Sequence, residues 1–326
     1  MKAAKESAAQ ALRLGARLGR ADDRSELMSH PSSDPDRSGR DGIGAREPSP
    51  PLEPGLYVVA TPIGNLRDIT LRALDILAAA DRVYAEDTRV ARKLMDAYSL
   101  RPRLFAYHDH SNEQVREEVL SVLRAGRSVA LISDAGTPLV SDPGFKLTRA
   151  ALEAGHRVFP VPGASAALAA LVASGLPSDR FLFAGFLPPK EGARRAALEA
   201  LADVDATLIF YESAPRLSDS LADMASILGA REAAAARELT KLFEETRRGP
   251  LGELAAYYGE HGPPRGEIVL IVGPPAPAEI ADAELDAFLR AHLEGGVKDA
   301  AAAAAQALGV SRKRAYARAL ALKTQP

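Results

Sequence analysis

Between residues 55 and 272, short apolar runs alternate with segments of helical periodicity, and this alternation restricts the fold more than any other feature. Residues 56–60 and 129–132 are continuously apolar rather than alternating with polar residues. Continuous apolar strands are typical of a sheet that is covered on both faces. Strands joined by helices of about ten residues favour βαβ units and a mostly parallel sheet. The sequence therefore predicts an α/β fold.

The composition of the chain changes along its length and predicts four parts. Residues 1–53 predict a disordered extension. The first twenty residues could form a helix rich in Ala, Arg and Leu, but residues 22–53 are rich in Ser, Asp, Arg, Gly and Pro and cannot bury enough apolar surface. The alternation of predicted strands and helices changes near residue 175 and ends at a Gly/Pro run near residue 275. This pattern predicts α/β domains at 54–175 and 176–275. Residues 276–326 predict helices resembling a helix-turn-helix, with a turn at Gly309 and an N-cap at Ser311.

Composition and charge exclude several classes of protein. The chain has no cysteine, which rules out disulfides, thiolate zinc sites and iron–sulfur clusters. His108 and His110 lack a third ligand, so we predict no metal site. No apolar run approaches the ~18 residues of a membrane span, and a cytoplasmic location is expected. The net charge of −2 argues against a protein that coats nucleic acid through its overall charge. Residues 295–326, however, carry six basic residues and one acidic residue.

Three loops that follow predicted strands are candidates for a ligand site. They span residues 61–66, 133–144 and 162–166, and they are rich in small residues that let a ligand approach the backbone. Ligands of open α/β sheets bind beyond the carboxyl ends of the strands. Ser165 opens a predicted helix, whose free N–H groups favour a carboxylate or a similar group. No P-loop motif is present, and no G-x-G-x-x-G follows a predicted strand, so an ordinary dinucleotide site is not expected.

In these segments the chain resembles a known family. The motifs are Thr61-Pro62-Ile63-Gly64-Asn65-Leu66, Glu86-Asp87-Thr88-Arg89, Ser133-Asp134-Ala135-Gly136-Thr137-Pro138, Pro162-Gly163-Ala164-Ser165-Ala166 and Arg237-Glu238-Leu239-Thr240-Lys241. Together they are similar to the cytidine 2′-O-methyltransferases of small-subunit ribosomal RNA, which belong to the tetrapyrrole-methylase superfamily. The resemblance extends over about residues 55–275, and more loosely over the helical tail.

The resemblance implies a fold, a cofactor and a substrate. The expected fold has two α/β domains, each a helix-flanked sheet, with an S-adenosylmethionine (SAM) cleft between them, followed by the small helical region. The expected partners are 16S rRNA in the assembled 30S subunit and a second copy of the chain. The methyl group would go to a cytidine of the decoding region. The implied cofactor-binding residues are Pro62, Asp134, Ala135, Gly136, Thr137, Val140, Ser165, Ala166, Tyr211 and Glu212.

The reaction also needs activation of a ribose hydroxyl, which is a weak nucleophile at neutral pH. The candidate catalytic residues are Asp87, Lys241, Glu86, Glu238 and Glu245, although charged segments of this kind also form salt-bridged surfaces. Lys241 would act as a base if its pKa were depressed, or as a cation it would stabilise a developing oxyanion. The candidate RNA-binding residues are Arg89, Arg312, Lys313, Arg314 and Arg318.

The sequence departs from the family at one place and leaves two alternatives open. The family has a histidine before the arginine that corresponds to Arg216, whereas here Pro215 occupies that place. One alternative is a C-methyltransferase of a precorrin or uroporphyrinogen, for which the basic tail would serve no purpose. The other is a non-catalytic module that binds the ribosome and releases no S-adenosylhomocysteine.

Overall fold

The computed structural model describes residues 51–108, 113–276 and 280–324. The predicted extension lies outside these ranges except for its last three residues, and so does His110. Within the described ranges, no helix combines the length and the apolarity that crossing a bilayer requires. The same ranges contain no group of three or more His, Asp or Glu side chains placed to hold a metal ion.

The first sheet is parallel throughout, as the sequence predicts. Its strand order is β3-β2-β4-β1-β5. The strands are β1 (Gly55–Val59), β2 (Arg82–Ala85), β3 (Leu104–Ala106), β4 (Ser128–Ile132) and β5 (Val158–Val161). The helices of this part are α1 (Leu71–Ala79), α2 (Thr88–Ala97), α3 (Glu113–Arg124) and α4 (Phe145–Glu153).

Both faces of the first sheet are buried, which explains the continuous apolar runs. Val59 and Ile132 belong to an apolar cluster formed with α1 and α2. Leu56 and Leu131 point to the opposite face and belong to a cluster formed with α3 and α4. Because successive side chains of a strand alternate between faces, every position of such a strand must be apolar.

The second sheet is mixed, with strand order β6-β7-β10-β8-β9. Only the pair β6 and β7 is parallel, and the other pairs are antiparallel. Its strands are β6 (Phe181–Phe186), β7 (Thr207–Ser213), β8 (Glu232–Arg237), β9 (Glu245–Pro250) and β10 (Glu267–Val272). Its helices are α5 (Ala166–Ser174), α6 (Glu191–Glu199), α7 (Leu217–Leu228) and α8 (Leu251–His261).

Helix α5 belongs to the second sheet by its packing, although the sequence groups it with the first domain. Its buried residues Ala170 and Leu171 lie in one apolar cluster with Ile209 and Val269 of the second sheet. Helices α6, α7 and α8 cover the other face of that sheet. The predicted boundaries at residues 54, 176 and 276 stay predictions.

The helical tail consists of α9 (Asp282–His292), α10 (Val297–Leu308) and α11 (Arg312–Thr324), which share a small apolar core. Gly309 ends α10 in a left-handed conformation, with φ 68°. The hydroxyl oxygen of Ser311 accepts the backbone N–H of Arg314 at 3.2 Å and so caps α11. Both local features agree with the turn and the cap that the sequence predicts.

The loop after β1 meets the loop after β8, and Gly64 makes this approach possible. The backbone N–H of Asn65 donates to the hydroxyl of Thr240 at 3.1 Å. A Cβ at Gly64 would lie 2.4 Å from Cγ of Lys241 and 3.1 Å from the carbonyl oxygen of Leu239. The absence of a side chain at this position therefore lets the two sheets' loops come together.

We expect Gly64→Ala to destabilise the fold by about 1–3 kcal/mol, because the added methyl group overpacks a contact that includes backbone. Equilibrium unfolding in urea measures the change. Gly192→Ala in α6 is the matched control, since a Cβ there meets nothing within 4 Å. That control should be neutral or slightly stabilising, because alanine favours helix over glycine by about 1 kcal/mol. Equal stability of the two variants would contradict the close contact.

Candidate cofactor cavity and adjoining charged cluster

A cavity of about 460 Å³ lies between loops of the first sheet and strand ends of the second sheet. The first wall comprises Ile63, Ala135, Gly136, Thr137, Val140, Ser141, Asp142, Ser165 and Ala166. The second wall comprises Phe186, Tyr211, Glu212, Ser213, Ala214, Pro215, Leu239, Gly266, Glu267, Ile268 and Val269. A cleft of this volume with mainly apolar walls and a few polar groups is typical of a small-molecule or cofactor site.

The first wall forms because three neighbouring parallel strands end at the same edge of the sheet. Thr61 and Gly136 exchange two backbone hydrogen bonds, N–H to O=C, at 2.8 and 3.0 Å. The hydroxyl of Thr137 donates to the carbonyl oxygen of Ala164 at 3.1 Å. The loops after β1, β4 and β5 are therefore joined to each other, as the three-loop prediction requires.

The loop after β4 holds unusual backbone conformations at the cavity. Leu139 and Ser141 adopt left-handed φ values of 73° and 64°. Such conformations cost of order 1–3 kcal/mol each in residues with a side chain, and they cluster at ligand clamps. Gly136 has φ 84°, where glycine carries no such cost. This wall is therefore shaped by backbone that the surrounding hydrogen bonds hold in place.

Helix α5 begins at the same wall. Ser165 is its N-cap, but the Ser165 side chain forms no capping hydrogen bond, and both Ser165 and Ala166 line the cavity. The first turn of a helix has free N–H groups and the positive end of the helix dipole. The start of α5 thus suits a carboxylate or another oxygen-bearing group of a bound cofactor.

The second wall is held by buried groups of β7 and α7. The carboxylate of Glu212 is fully buried. It accepts the Ser213 backbone N–H at 2.7 Å, the Ser220 hydroxyl at 2.5 Å and the Arg216 guanidinium at 3.2 Å. Arg216 also donates to the carbonyl oxygen of Leu187 at 2.6 Å. Glu212 therefore fixes the turn from Ser213 to Pro215 that forms the wall.

Tyr211 contributes an aromatic surface to this wall. Its ring packs edge-on against Phe183 and Phe186, with centroids 4.9 and 5.5 Å away. Burial raises the pKa of the Tyr211 phenol, so the phenol stays neutral at physiological pH. An apolar aromatic wall of this kind suits the flat heterocycle of a nucleoside.

The structure brings eight of the predicted cofactor-binding residues together at the cavity, namely Ala135, Gly136, Thr137, Val140, Ser165, Ala166, Tyr211 and Glu212. Pro62 and Asp134 are not among the lining residues. Asp134 instead accepts the backbone N–H of Asp87 at 2.9 Å, which links the ends of β2 and β4. The binding roles of all ten residues stay predictions.

None of the five candidate catalytic residues lines the cavity, and two of them, Asp87 and Glu245, are held in ion pairs elsewhere. Glu86 and Asp87 follow β2, where Asp87 caps α2 and forms an ion pair with Arg89 at 2.6 Å. The hydrogen bonds from Arg89 lower the pKa of Asp87 to about 2, which does not suit a general base near neutral pH. The Arg237 hydrogen bond lowers the pKa of Glu245, which pairs with Arg237 at 3.0 Å.

The other two candidates, Glu238 and Lys241, form a charged cluster with Glu267, which lines the cavity. Nζ of Lys241 lies 2.7 Å from Oε1 of Glu238 and 2.9 Å from Oε2 of Glu267. Partial burial alone would lower the pKa of Lys241, but its hydrogen bonds to Glu238 and Glu267 outweigh burial and raise the pKa. Of the two roles left open for Lys241, the structure therefore favours the cation over the base.

Glu267 lines the cavity, although it is not among the site residues that the sequence predicts. Strand β10 runs antiparallel to β7 and β8, with Glu267 opposite Ser213 and Ile268 opposite Arg237. The beginning of β10 therefore lies beside the ends of its two neighbours, at the cavity edge. Glu267 precedes an apolar run rather than following one, so the loops after predicted strands do not include it. The signal in the sequence is the Gly266-Glu267 pair before that run.

Most of the candidate RNA-binding arginines already have carboxylate partners within the chain. Arg314 pairs with Asp282 at 2.9 Å, and Arg318 pairs with Asp286 through two hydrogen bonds at 2.6 and 2.9 Å. Both pairs brace α11 against α9. Arg89 pairs with Asp87, as described above. Arg312 and Lys313 are exposed at the beginning of α11.

Comparison with known proteins agrees with this architecture. The family model of tetrapyrrole (corrin/porphyrin) methylases matches residues 55–255, and that of the RsmI C-terminal HTH domain matches residues 279–323. A relative from Mesorhizobium japonicum, named ribosomal RNA small subunit methyltransferase I, is 55% identical over 86% of this chain and 97% of its own. The protein of the same name from Escherichia coli O157:H7 is 50% identical over 81% of this chain and 94% of its own.

Among solved structures, a diphthine synthase has a TM-score of 0.53 at 16% identity, over 67% of this chain and 89% of that one. This similarity confirms the predicted two-domain α/β fold. The fold and the family matches define a methylase that uses SAM as its methyl donor. The chain belongs to the tetrapyrrole methylase family, in the group whose curated members are named ribosomal RNA small subunit methyltransferase I.

The ion pair with Arg89 predicts the pH behaviour of Asp87. Because the pKa of Asp87 is lowered to about 2 from an ordinary 3.8, its contribution to stability is present above about pH 4 and is lost as the pH falls toward 2. A carboxyl NMR titration should find this low pKa, and Arg89→Ala should move it toward the ordinary value. Arg92→Ala, at an exposed position of the same helix, should leave it unchanged. A pKa near neutrality would instead support Asp87 as the general base.

Proposed function

We propose that this chain transfers a methyl group from SAM to the ribose 2′-hydroxyl of a cytidine in the decoding region of 16S rRNA, in the assembled 30S subunit. The names of relatives that match more than 80% of the chain support RNA as the substrate. The observation that carries the proposal is the Lys241 ammonium group held by Glu238 and by the cavity-lining Glu267. A hydroxyl nucleophile needs such a charged group beside it, because its oxygen gains negative charge as the proton leaves.

In this proposal the chain positions the two reactants and stabilises charge. The bound cofactor supplies an electrophilic methyl group on a sulfonium. The walls built from Gly136, Ser165 and Tyr211 would hold the cofactor so that the ribose oxygen can approach the methyl group in line. The Lys241 cation would stabilise the developing charge on that oxygen. The Glu267 carboxylate, which lines the cavity, would accept the proton.

Methyl transfer from labelled SAM tests the proposed function directly. The wild-type chain should label 30S subunits but not a uroporphyrinogen, and nucleoside mass spectrometry should find 2′-O-methylcytidine. Lys241→Met should lower kcat by about 100-fold or more, because it removes an electrostatic stabiliser. Its affinity for SAM should stay unchanged, and Lys241→Arg, which keeps the cation, should retain more activity. Label in the porphyrinogen, or full turnover by Lys241→Met, would contradict the proposal.

The basic tail is the proposed contact with the phosphate backbone. Since Arg314 and Arg318 brace α11, we assign this role mainly to Arg312 and Lys313. The double variant Arg312→Ala/Lys313→Ala should weaken 30S binding and reduce the slope of log affinity against log salt by about 1–2. Arg290→Ala, at an exposed position on α9 of the same tail, is the matched control. An equal effect of the control would point to overall charge rather than to this contact.

We also propose a homodimer in the cytoplasm. Leu168 and Val172 lie one turn apart on α5 and are both exposed, as a helix face that is buried between two copies would be. A cytoplasmic location follows from small-subunit rRNA as the proposed substrate.

A further inference from the structure

The hairpin loop between β8 and β9 carries two exposed apolar side chains that the fold does not need. Leu242 is 89% exposed and Phe243 is 67% exposed. Neither belongs to an apolar cluster of the described residues. Adjacent large apolar side chains at a loop tip contribute nothing to the core, and exposed groups of this kind mark binding surfaces.

The base of this loop is held in one shape. The backbone N–H of Glu238 donates to the carbonyl oxygen of Glu267 at 3.1 Å, and that of Glu244 donates to the carbonyl oxygen of Lys241 at 3.2 Å. The carboxylate of Glu244 accepts the backbone N–H of Thr240 at 2.5 Å. Glu238 and Thr240 adopt left-handed φ values of 50° and 65°, which these hydrogen bonds maintain. The loop is therefore preorganised, and its tip is presented at a defined position.

The chain keeps the loop tip within a limited distance of the cavity. Leu239 lines the cavity, and Phe243 follows four residues later, so their Cα atoms are at most about 14 Å apart. Lys241 lies between them in the sequence and contacts the cavity-lining Glu267. A nucleotide whose ribose enters this cavity would therefore bring its own base, or a neighbouring base, within reach of Phe243.

We propose that Phe243, supported by Leu242, stacks against an unpaired base of the RNA substrate and so positions the ribose beside the cofactor. This inference rests on the proposed function. Sequence-tolerant stacking of unpaired bases on exposed aromatic rings is a common mode of single-strand recognition. The carboxylates of Glu238, Glu244 and Glu267 lie at this loop and outnumber the one ammonium group of Lys241, which is already paired with two of them. The net negative charge disfavours a phosphate as the group that the loop contacts and favours the uncharged face of a base.

The absence of tryptophan from the chain provides a direct test of stacking. Phe243→Trp introduces a single tryptophan at the loop tip. Titration with 30S subunits should quench its emission saturably, after the emission of the subunits alone has been subtracted. Phe181→Trp is the matched control, because Phe181 is 46% exposed and lies at the end of β6 opposite the cavity-lining Phe186. Its emission should stay unchanged. Equal quenching at both positions, or none at either, would overturn the proposal.

Steady-state kinetics distinguish stacking of a base on the Phe243 ring from the mere burial of an apolar side chain at this position. Phe243→Ala should lower kcat/KM for 30S subunits about 10- to 100-fold, with the Kd for SAM unchanged. Phe243→Tyr should retain most of the activity because it keeps the ring. Phe243→Leu, which keeps apolar volume without a ring, should behave like Phe243→Ala. Wild-type activity in Phe243→Leu would overturn the proposal.

Two further outcomes distinguish this inference from its alternatives. If Phe243→Ala converted a dimer to a monomer in light scattering, the loop tip would belong to an interface between copies, which would overturn the proposal. If the wild-type chain transferred no methyl group to RNA, the proposed function would fail. The fluorescence of the Phe243→Trp variant would then still decide stacking, because that signal needs RNA binding but no turnover.

Discussion

The parallel pairing of β4, β1 and β5 is the constraint on which the rest of the site depends. Because these strands are neighbours and run in one direction, their following loops meet at one edge of the sheet. The two backbone hydrogen bonds between Thr61 and Gly136 join the first two of these loops. The unusual conformations at Leu139 and Ser141 persist only within such a framework. The cavity wall is therefore a consequence of strand order rather than of any single side chain.

A second constraint couples this wall to the other sheet. Gly64 lets the loop after β1 contact Leu239 and Lys241, and the same hairpin loop carries the charged cluster and the exposed Phe243. A change in the loop after β1 would thus be felt by Lys241, which contacts Glu267 in the opposite wall. A short run of backbone, residues 239–243, links the wall of the cavity to Lys241, the proposed charge stabiliser, and to Phe243, the proposed contact with a base.

The sequence predicts well those features that local periodicity controls. The apolar spacing of residues 88–97 and 217–228 predicts helices, and α2 and α7 span these residues. Strand β9 (Glu245–Pro250) shows no apolar pattern from which the sequence could predict it. It is a polar strand at the edge of the sheet, and alternation of apolar residues is not required there. The contribution of Glu267 to the cavity wall also escaped prediction, because strand direction depends on long-range pairing that no local pattern encodes.

The basic residues of the helical tail also show that composition alone does not reveal which charges are available for binding. The tail from residue 295 has a strong excess of basic residues, which suggests a uniform polyanion-binding surface. Asp282 and Asp286 of α9 lie outside that window, and they pair with Arg314 and Arg318. Those arginines therefore brace the helices, whereas Arg312 and Lys313 are adjacent and exposed at the beginning of α11, where their charge is available to a phosphate. Since carboxylates lie at the loop that carries Phe243, recognition of backbone and of base would occur at separate places on the chain.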